Sequence, residues 1–149
     1  MIEIKEITED NYERVIKLEV NDDQKKYVAP NVKSLADCYV YRNNNDVFPF
    51  AIYNDEEIIG FIMFYTEDEE KEITIWRIMI DKEYQGMGYG KRALEIALEY
   101  INDKTIYEKV YIDYVVGNEI AMRLYERLGF KFDKTNEYNE VVMKYIIER

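Results

Sequence analysis

Mid-chain, the run Gln85-Gly86-Met87-Gly88-Tyr89-Gly90-Lys91-Arg92 places three glycines within five residues, just ahead of a segment with strong helical periodicity. The first turn of a helix leaves its N–H groups without partners and carries about half a positive charge, so a glycine-rich turn feeding one can bind a phosphate. Gly86, Gly88 and Gly90 let the main chain come close to a pyrophosphate that side chains would hold off. Lys91 and Arg92 oppose the helix dipole in that first turn, which makes sense if they face an anionic ligand; simple exposure to solvent is the other explanation.

Spacing separates the phosphate-binding patterns that compete for this loop. A P-loop needs glycine where Gln85 stands and serine or threonine where Arg92 stands, so it fails twice. Gly88-Tyr89-Gly90-Lys91-Arg92-Ala93 satisfies the looser dinucleotide pattern G-x-G-x-x-A, with Glu108 about twenty residues on. That pattern belongs directly after the first strand of a βαβ unit, whereas here a stretch of Asp81 to Gln85 intervenes and the loop lies mid-chain behind a hairpin.

The remaining chemistry is narrowed by what is missing. There is no histidine, which removes Ser-His-Asp and Cys-His nucleophilic sites, His-ligated zinc and proximal-His haem together. Cys38 is the only cysteine, so no intrachain disulfide or multi-cysteine metal site is available, and it reads as a small buried hydrophobe. Carboxylates, tyrosines, lysines and main-chain amides are left to carry any reaction, with no metal. A net charge of −11 works against nucleic acid and against an anionic membrane surface, both of which are polyanions. It suits a cationic small molecule, or else serves only solubility.

The 149 residues, 48% of them apolar, fit a single domain over 1–149. No signal-like leader and no long apolar span is present, so a cytoplasmic protein is expected. Residues 2–7 alternate as a strand, and Thr8-Glu9-Asp10 opens a helix with Tyr12, Val15, Ile16 and Leu18 on one side. Residues 21–31 read as a loop or broken helix, and 32–42 as a second helix with Leu35, Ala36, Tyr39 and Val40 together. Strands follow over 47–53 and 58–65, joined by an Asn54-Asp55-Glu56 turn, and then over 73–80, leading into the glycine loop. Leu94, Ala97, Leu98 and Ile101 mark the helix behind the loop. A strand over 110–115, a helix over 118–128 closed by Gly129, and a strand over 140–147 complete the order β-α-α-β-β-β-α-β-α-β, an α/β layer with one sheet covered by helices.

Gln85-Gly86-Met87-Gly88-Tyr89-Gly90 resembles the Q/R-x-x-G-x-G/A signature of the GCN5-related N-acetyltransferases (GNAT), and Asn118 to Phe130 resembles that family's N-x-x-A-x-x-L-Y-x-x-L-G-F segment. The two blocks stand in the family's order, and the element order fits over nearly the whole chain. The resemblance implies the GNAT fold, a mixed, mostly antiparallel twisted sheet of six to seven strands flanked by about four helices. It implies acetyl-CoA as co-substrate, with main-chain groups of Ile78, Met79 and Ile80 along the pantetheine arm. The pyrophosphate would lie on Gln85, Gly86, Met87, Gly88, Tyr89, Gly90 and Lys91. Asn118 matches a residue that contacts the coenzyme arm, and Tyr125 the tyrosine that protonates the departing thiolate. Seven residues on a helix return to nearly the same face about 10 Å further on, so Asn118 and Tyr125 can share a groove. Read by themselves, Asn118 is an N-cap after Gly117 and Tyr125 a core residue.

Within the family the chain looks most like bacterial spermine/spermidine (diamine) acetyltransferases, through Tyr27 to Ala36 and Trp76 to Gly86. That likeness implies a polyamine acceptor such as spermidine or spermine. Other acceptors of the same chemistry stay open: an aminoglycoside, a streptothricin-like antibiotic or a protein N-terminus. So does a non-catalytic acetyl-CoA sensor, and by analogy with the family a homodimer is expected. An alkylamine with a pKa of about 10.4 is charged near neutrality, so a base must take a proton before attack. Where several polyamine acetyltransferases place a carboxylate, this chain has Trp76-Arg77, which leaves the base unassigned. Glu19, Asp22 and Asp23, beside Tyr27, are candidates for an acidic cluster that receives the acceptor; a solvated loop is the alternative.

Overall fold

A computed structural model describes residues 1–149. Strands β1 (Ile2–Glu6), β2 (Val47–Asn54), β3 (Glu57–Glu67), β4 (Glu72–Ile80), β5 (Lys109–Val115), β6 (Lys131–Thr135) and β7 (Glu140–Ile146) are interspersed with helices α1 (Tyr12–Lys17), α2 (Asn31–Val40), α3 (Tyr89–Lys104) and α4 (Glu119–Leu128). The strands form one sheet in the order β1-β2-β3-β4-β5-β7-β6. Every pair is antiparallel except β4 with β5, as the crossover through α3 requires. This is the mixed, mostly antiparallel sheet flanked by helices that the resemblance to the GNAT family implies.

The periodic faces set the layers. Leu94, Ala97, Leu98 and Ile101 of α3 and Tyr125 of α4 pack on Ile62, Ile75, Val110 and Ile112 on one side of the sheet. Each leucine, isoleucine or valine among them contributes about 1.5–3 kcal/mol when fully removed from water. On the other side, Val15 and Leu18 pack with Phe61, Met63 and Met79, so that this second core lies over β2 to β4 only. In α2, Leu35 and Cys38 pack against this core, but the two buried residues are polar. Ser34 is fully buried, and Asn31 donates from Nδ2 to the Val15 carbonyl at 3.0 Å. Tyr39 and Val40, expected inside, are instead 66% and 65% exposed, and the guanidinium of Arg42 stacks over the Tyr39 ring at 3.8 Å.

β6 is the strand that periodicity did not reveal. All five of its residues are exposed, and Asp133 is an extra residue between the Phe132–Met143 and Lys134–Val142 pairs, so no alternation of apolar positions survives.

A second bulge matters more. Met63 pairs with Arg77 and Phe64 with Ile75, leaving Trp76 unpaired in β4. Before it Ile73 and Ile75 face α3; after it Ile78 and Ile80 do, while Met79 turns to the α1–α2 side. The extra twist of a bulge falls immediately after Ile75, and there the parallel ladder ends. β4 and β5 pair only from Glu72–Lys109 to Ile75–Ile112, after which β4 runs on to Ile80 and β5 to Val115 without touching again as strands.

Candidate active site

The divergence of β4 from β5 opens a cleft of about 980 Å³ through the middle of the sheet. On the β4 side, the edge of Trp76 to Ile80 that would have faced β5 has no strand to pair with. At the end of β4, Asp81 is 5% exposed and accepts the Glu19 N–H at 2.9 Å and the Glu83 N–H at 3.2 Å, which fixes the turn into the glycine loop. Gly86 and Gly88 have φ of 79° and 82°, a region costly for residues with a Cβ, and in front of both the space is open. No N–H from Gly86 to Lys91 has a main-chain acceptor, and the chain passes from there into α3. The result is a row of aimed, unsatisfied donors at the positive end of a 16-residue helix.

Gln85 works differently from its glycine neighbours. Its side-chain amide donates to the Ile80 carbonyl and to Gln24 Oε1, both at 2.9 Å, and accepts from Asn21 Nδ2 at 3.2 Å. It therefore ties the glycine loop to the segment between α1 and α2, where Asn21 caps a short 3-10 turn over Asp22–Gln24. Met87 is 60% exposed and does not line the cleft, so only its main chain faces the row of donors. Met79 likewise sends its side chain into the second core.

Across the cleft, Asn118 caps α4, accepting the Ala121 N–H at 3.3 Å, and also lines the cavity; the two readings of this residue are compatible. Tyr125 lines it too, 6% exposed, its ring lodged between Tyr114 and Phe130 at centroid distances of 6.2 and 6.1 Å. Burial, and then the charge of Asp113, push its phenol well above the ordinary tyrosine value, so it is fully protonated near neutrality. The hydroxyl of Tyr27 reaches over from the 21–31 segment, 3.5 Å from where a Cβ on Gly117 would lie.

The sequence-derived acidic cluster divides. Asp23 and Tyr27 line the cleft. Glu19 and Asp22 do not, and both are occupied on the surface: Glu19 bridges Lys82 at 2.6 Å and Lys25 at 3.5 Å, and Asp22 bridges Lys25 at 3.0 Å. A hydrogen bond from Lys82 chiefly holds Glu19 below the usual carboxylate range, and one from Lys25 does the same for Asp22.

Arg77, on the bulge, also faces the cleft. It donates to Ser34 Oγ at 2.9 Å and Asp37 Oδ2 at 2.8 Å, so its charge is spent on docking α2 to β4. Burial pushes Asp37 upward, but the bonds from Arg77 and Lys33 outweigh it and hold the carboxyl low. Two further cleft carboxylates, Asp113 on β5 and Glu140 on β7, escaped the sequence reading. Burial first, and Glu140 second, raise Asp113 to about 6 against an opposing effect of Lys134. The one available signal was a lone charge within the strand Tyr111-Ile112-Asp113-Tyr114-Val115.

Comparison with known proteins bears on this geometry. Residues 3–130 match the acetyltransferase (GNAT) family. The chain is 31% identical over 148 residues to a probable spermine N(1)-acetyltransferase of Bacillus subtilis subsp. natto (strain BEST195), and 30% identical over 148 residues to the spermine/spermidine N(1)-acetyltransferase of Bacillus subtilis (strain 168). In both comparisons 93% of each chain is covered. The fold is similar to that of spermidine N-acetyltransferase from Vibrio cholerae, solved in complex with CoA and spermine. The TM-score is 0.78 at 19% identity, over 98% of this chain and 95% of that one.

Proposed function

Because the chain belongs to the acetyltransferase (GNAT) family, we propose that it transfers the acetyl group of acetyl-CoA to a primary amine of a polyamine such as spermidine or spermine. One observation carries this: a single cleft between β4 and β5 joins a row of unsatisfied main-chain donors to a chamber of carboxylates and aromatic rings.

The donor fits the first end. Open space in front of Gly86 and Gly88 admits a pyrophosphate, which the N–H groups of Gly86 to Lys91 would hold, with the Lys91 side chain alongside. The unpaired edge of β4 at Ile78 to Ile80 offers the pantetheine amides a strand to pair with, and an N–H there stabilises the thioester oxygen during attack. Tyr125, protonated and aimed into the cleft, supplies the proton that the departing thiolate needs.

The acceptor fits the second end. Tyr27 and Trp76 line it, and although Lys26 lies over one ring at 5.2 Å and Arg77 over the other at 4.8 Å, an ammonium group gains about 0.5–2 kcal/mol from any aromatic face it reaches. Asp23, Asp113 and Glu140 add negative charge from three separate elements, within a molecule of net charge −11. The two Bacillus subtilis relatives carry names that specify spermine or spermidine, which favours the same class. The test is a panel of amines with acetyl-CoA, following release of free thiol. Spermidine and spermine should turn over faster than an aminoglycoside or a peptide N-terminus; no turnover of either polyamine would remove them as the acceptors.

A further inference from the structure

Attack by an amine requires a group that takes a proton, and the cleft contains a carboxylate with no partner. Asp113 lies immediately past Ile112, the last β5 residue paired with β4. Ile112 and Tyr114 pack into the core under α3 and α4, so Asp113 between them emerges on the opposite face of the sheet. There the α1–α2 core extends only over β2 to β4, which leaves the Asp113 side chain facing the open cleft. Neither a salt bridge nor a hydrogen bond engages its carboxylate. By contrast, Glu140 accepts from Asn136 Nδ2 at 3.0 Å, and Glu19 and Asp22 are held by lysines.

Building on the acetyl transfer proposed above, we propose that Asp113 is the catalytic base of this enzyme, the carboxylate that takes a proton from the ammonium group of the incoming polyamine.

The protons then balance. Asp113 removes one from R–NH3+, and the freed nitrogen lone pair forms the C–N bond to the thioester carbonyl carbon. As the C–S bond breaks, Tyr125 protonates the thiolate. The nitrogen, now bonded to the acyl carbon, returns its surplus proton to the tyrosinate, leaving a neutral amide, and Asp113 releases its own proton to solvent. The charge of Asp113 is one of the two causes that hold the Tyr125 phenol high. Neutralising Asp113 removes that restraint, so the step that activates the nucleophile also makes Tyr125 a stronger acid at the moment when the leaving group needs a proton.

The pH dependence follows from the groups that act on Asp113: Glu140 from β7 raises it and Lys134 from β6 lowers it, while its own charge reaches Tyr125 of α4. With a carboxyl near about 6, kcat/KM for spermidine should fall roughly tenfold per pH unit below that value. Asp113→Asn should lose about a hundredfold or more in turnover and lose this acid limb, while binding CoA with unchanged affinity by calorimetry. Glu140→Gln should move the limb to lower pH, a shift that a merely structural role for Asp113 does not produce.

The Asn variant should also fold well. An acid whose folded pKa is raised stabilises the protein only while protonated, an advantage lost as pH rises through the folded value. Asp113→Asn should therefore melt above the wild type at pH 7.5 and lose that advantage below about pH 4. If it fails to fold, the limb of Glu140→Gln decides: a shift to lower pH upholds the assignment, and an unmoved limb overturns it. An Asn variant that keeps wild-type turnover and the same acid limb overturns it as well. A wild type that acetylates no amine overturns the acetyl-transfer reading together with this one, whereas an active wild type with an unaffected Asn variant overturns this one alone.

Discussion

The two walls of the cleft are built on opposite principles. The wall proposed for the donor is one continuous stretch from Trp76 to Lys91, and what it presents is main chain: an unpaired strand edge followed by N–H groups without acceptors. The wall proposed for the acceptor presents side chains, with Asp23 and Tyr27 from the segment between α1 and α2, Asp113 from β5 and Glu140 from β7. Main-chain recognition demands a conformation, which constrains residue types over a short run. Side-chain recognition demands only that a few groups converge in space, from wherever the fold brings them.

The contrast breaks most sharply at Gly88. At φ of 82° a β-branched residue is strained whatever space surrounds it, and its side chain would enter the open volume proposed for the pyrophosphate. Gly88→Val should reduce CoA affinity at least a hundredfold by calorimetry, with circular dichroism confirming that the fold persists. Near-normal CoA binding by a folded variant would mean that the donor wall lies elsewhere.

Tyr125 stands apart from both walls: its proposed part is a side chain in the chemistry, with no main chain in binding. Tyr125→Phe keeps the ring packed against Tyr114 and Phe130 and deletes only the hydroxyl. Turnover should fall by roughly ten- to a thousandfold with CoA affinity nearly unchanged. A parallel loss of CoA affinity would recast the residue as part of the donor wall, and unchanged turnover would leave the thiolate to be protonated by solvent.

The same difference governs what was legible in the sequence. Three glycines ahead of a periodic helix marked the loop of the donor wall because they obey a local geometric rule, whereas Asn118 and Tyr125 drew their proposed roles from the resemblance to the family's segment. Asp113 and Glu140 obey none; their proximity exists only through the β5–β7 pairing, in which Val115 meets Glu140 and Asp113 meets Val142. Acidic density was a poor guide in their place, since Glu19, Asp22 and Asp23 are neighbours in sequence yet only Asp23 reaches the cleft. In the fold, strands with one buried face declared themselves through alternation. The edge strand β6, exposed throughout and bulged at Asp133, had no buried face to leave such a trace. The bulge at Trp76, which parts β4 from β5 and so creates the site, was equally silent, since a continuous apolar strand looks the same with or without an extra residue.

The finest test of the comparison lies within that acidic segment, where three solvent-exposed carboxylates have different fates. Asp23→Asn, with Tyr27→Phe beside it, should raise KM for spermidine several-fold and leave CoA binding intact, because both residues line the cleft and neither hydrogen-bonds to the glycine loop, whose ties to this segment run through Asn21 and Gln24. Glu19→Gln and Asp22→Asn should change kcat/KM by less than twofold. Their charges already meet Lys82 and Lys25 at the surface, and ion pairs so exposed contribute little. Glu19 also anchors this segment through its main chain, its N–H on Asp81 and its carbonyl accepting from Lys82, and those bonds survive a change of side chain. An effect of Glu19→Gln as large as that of Asp23→Asn would show that net charge near the mouth, rather than position along the cleft, selects the acceptor.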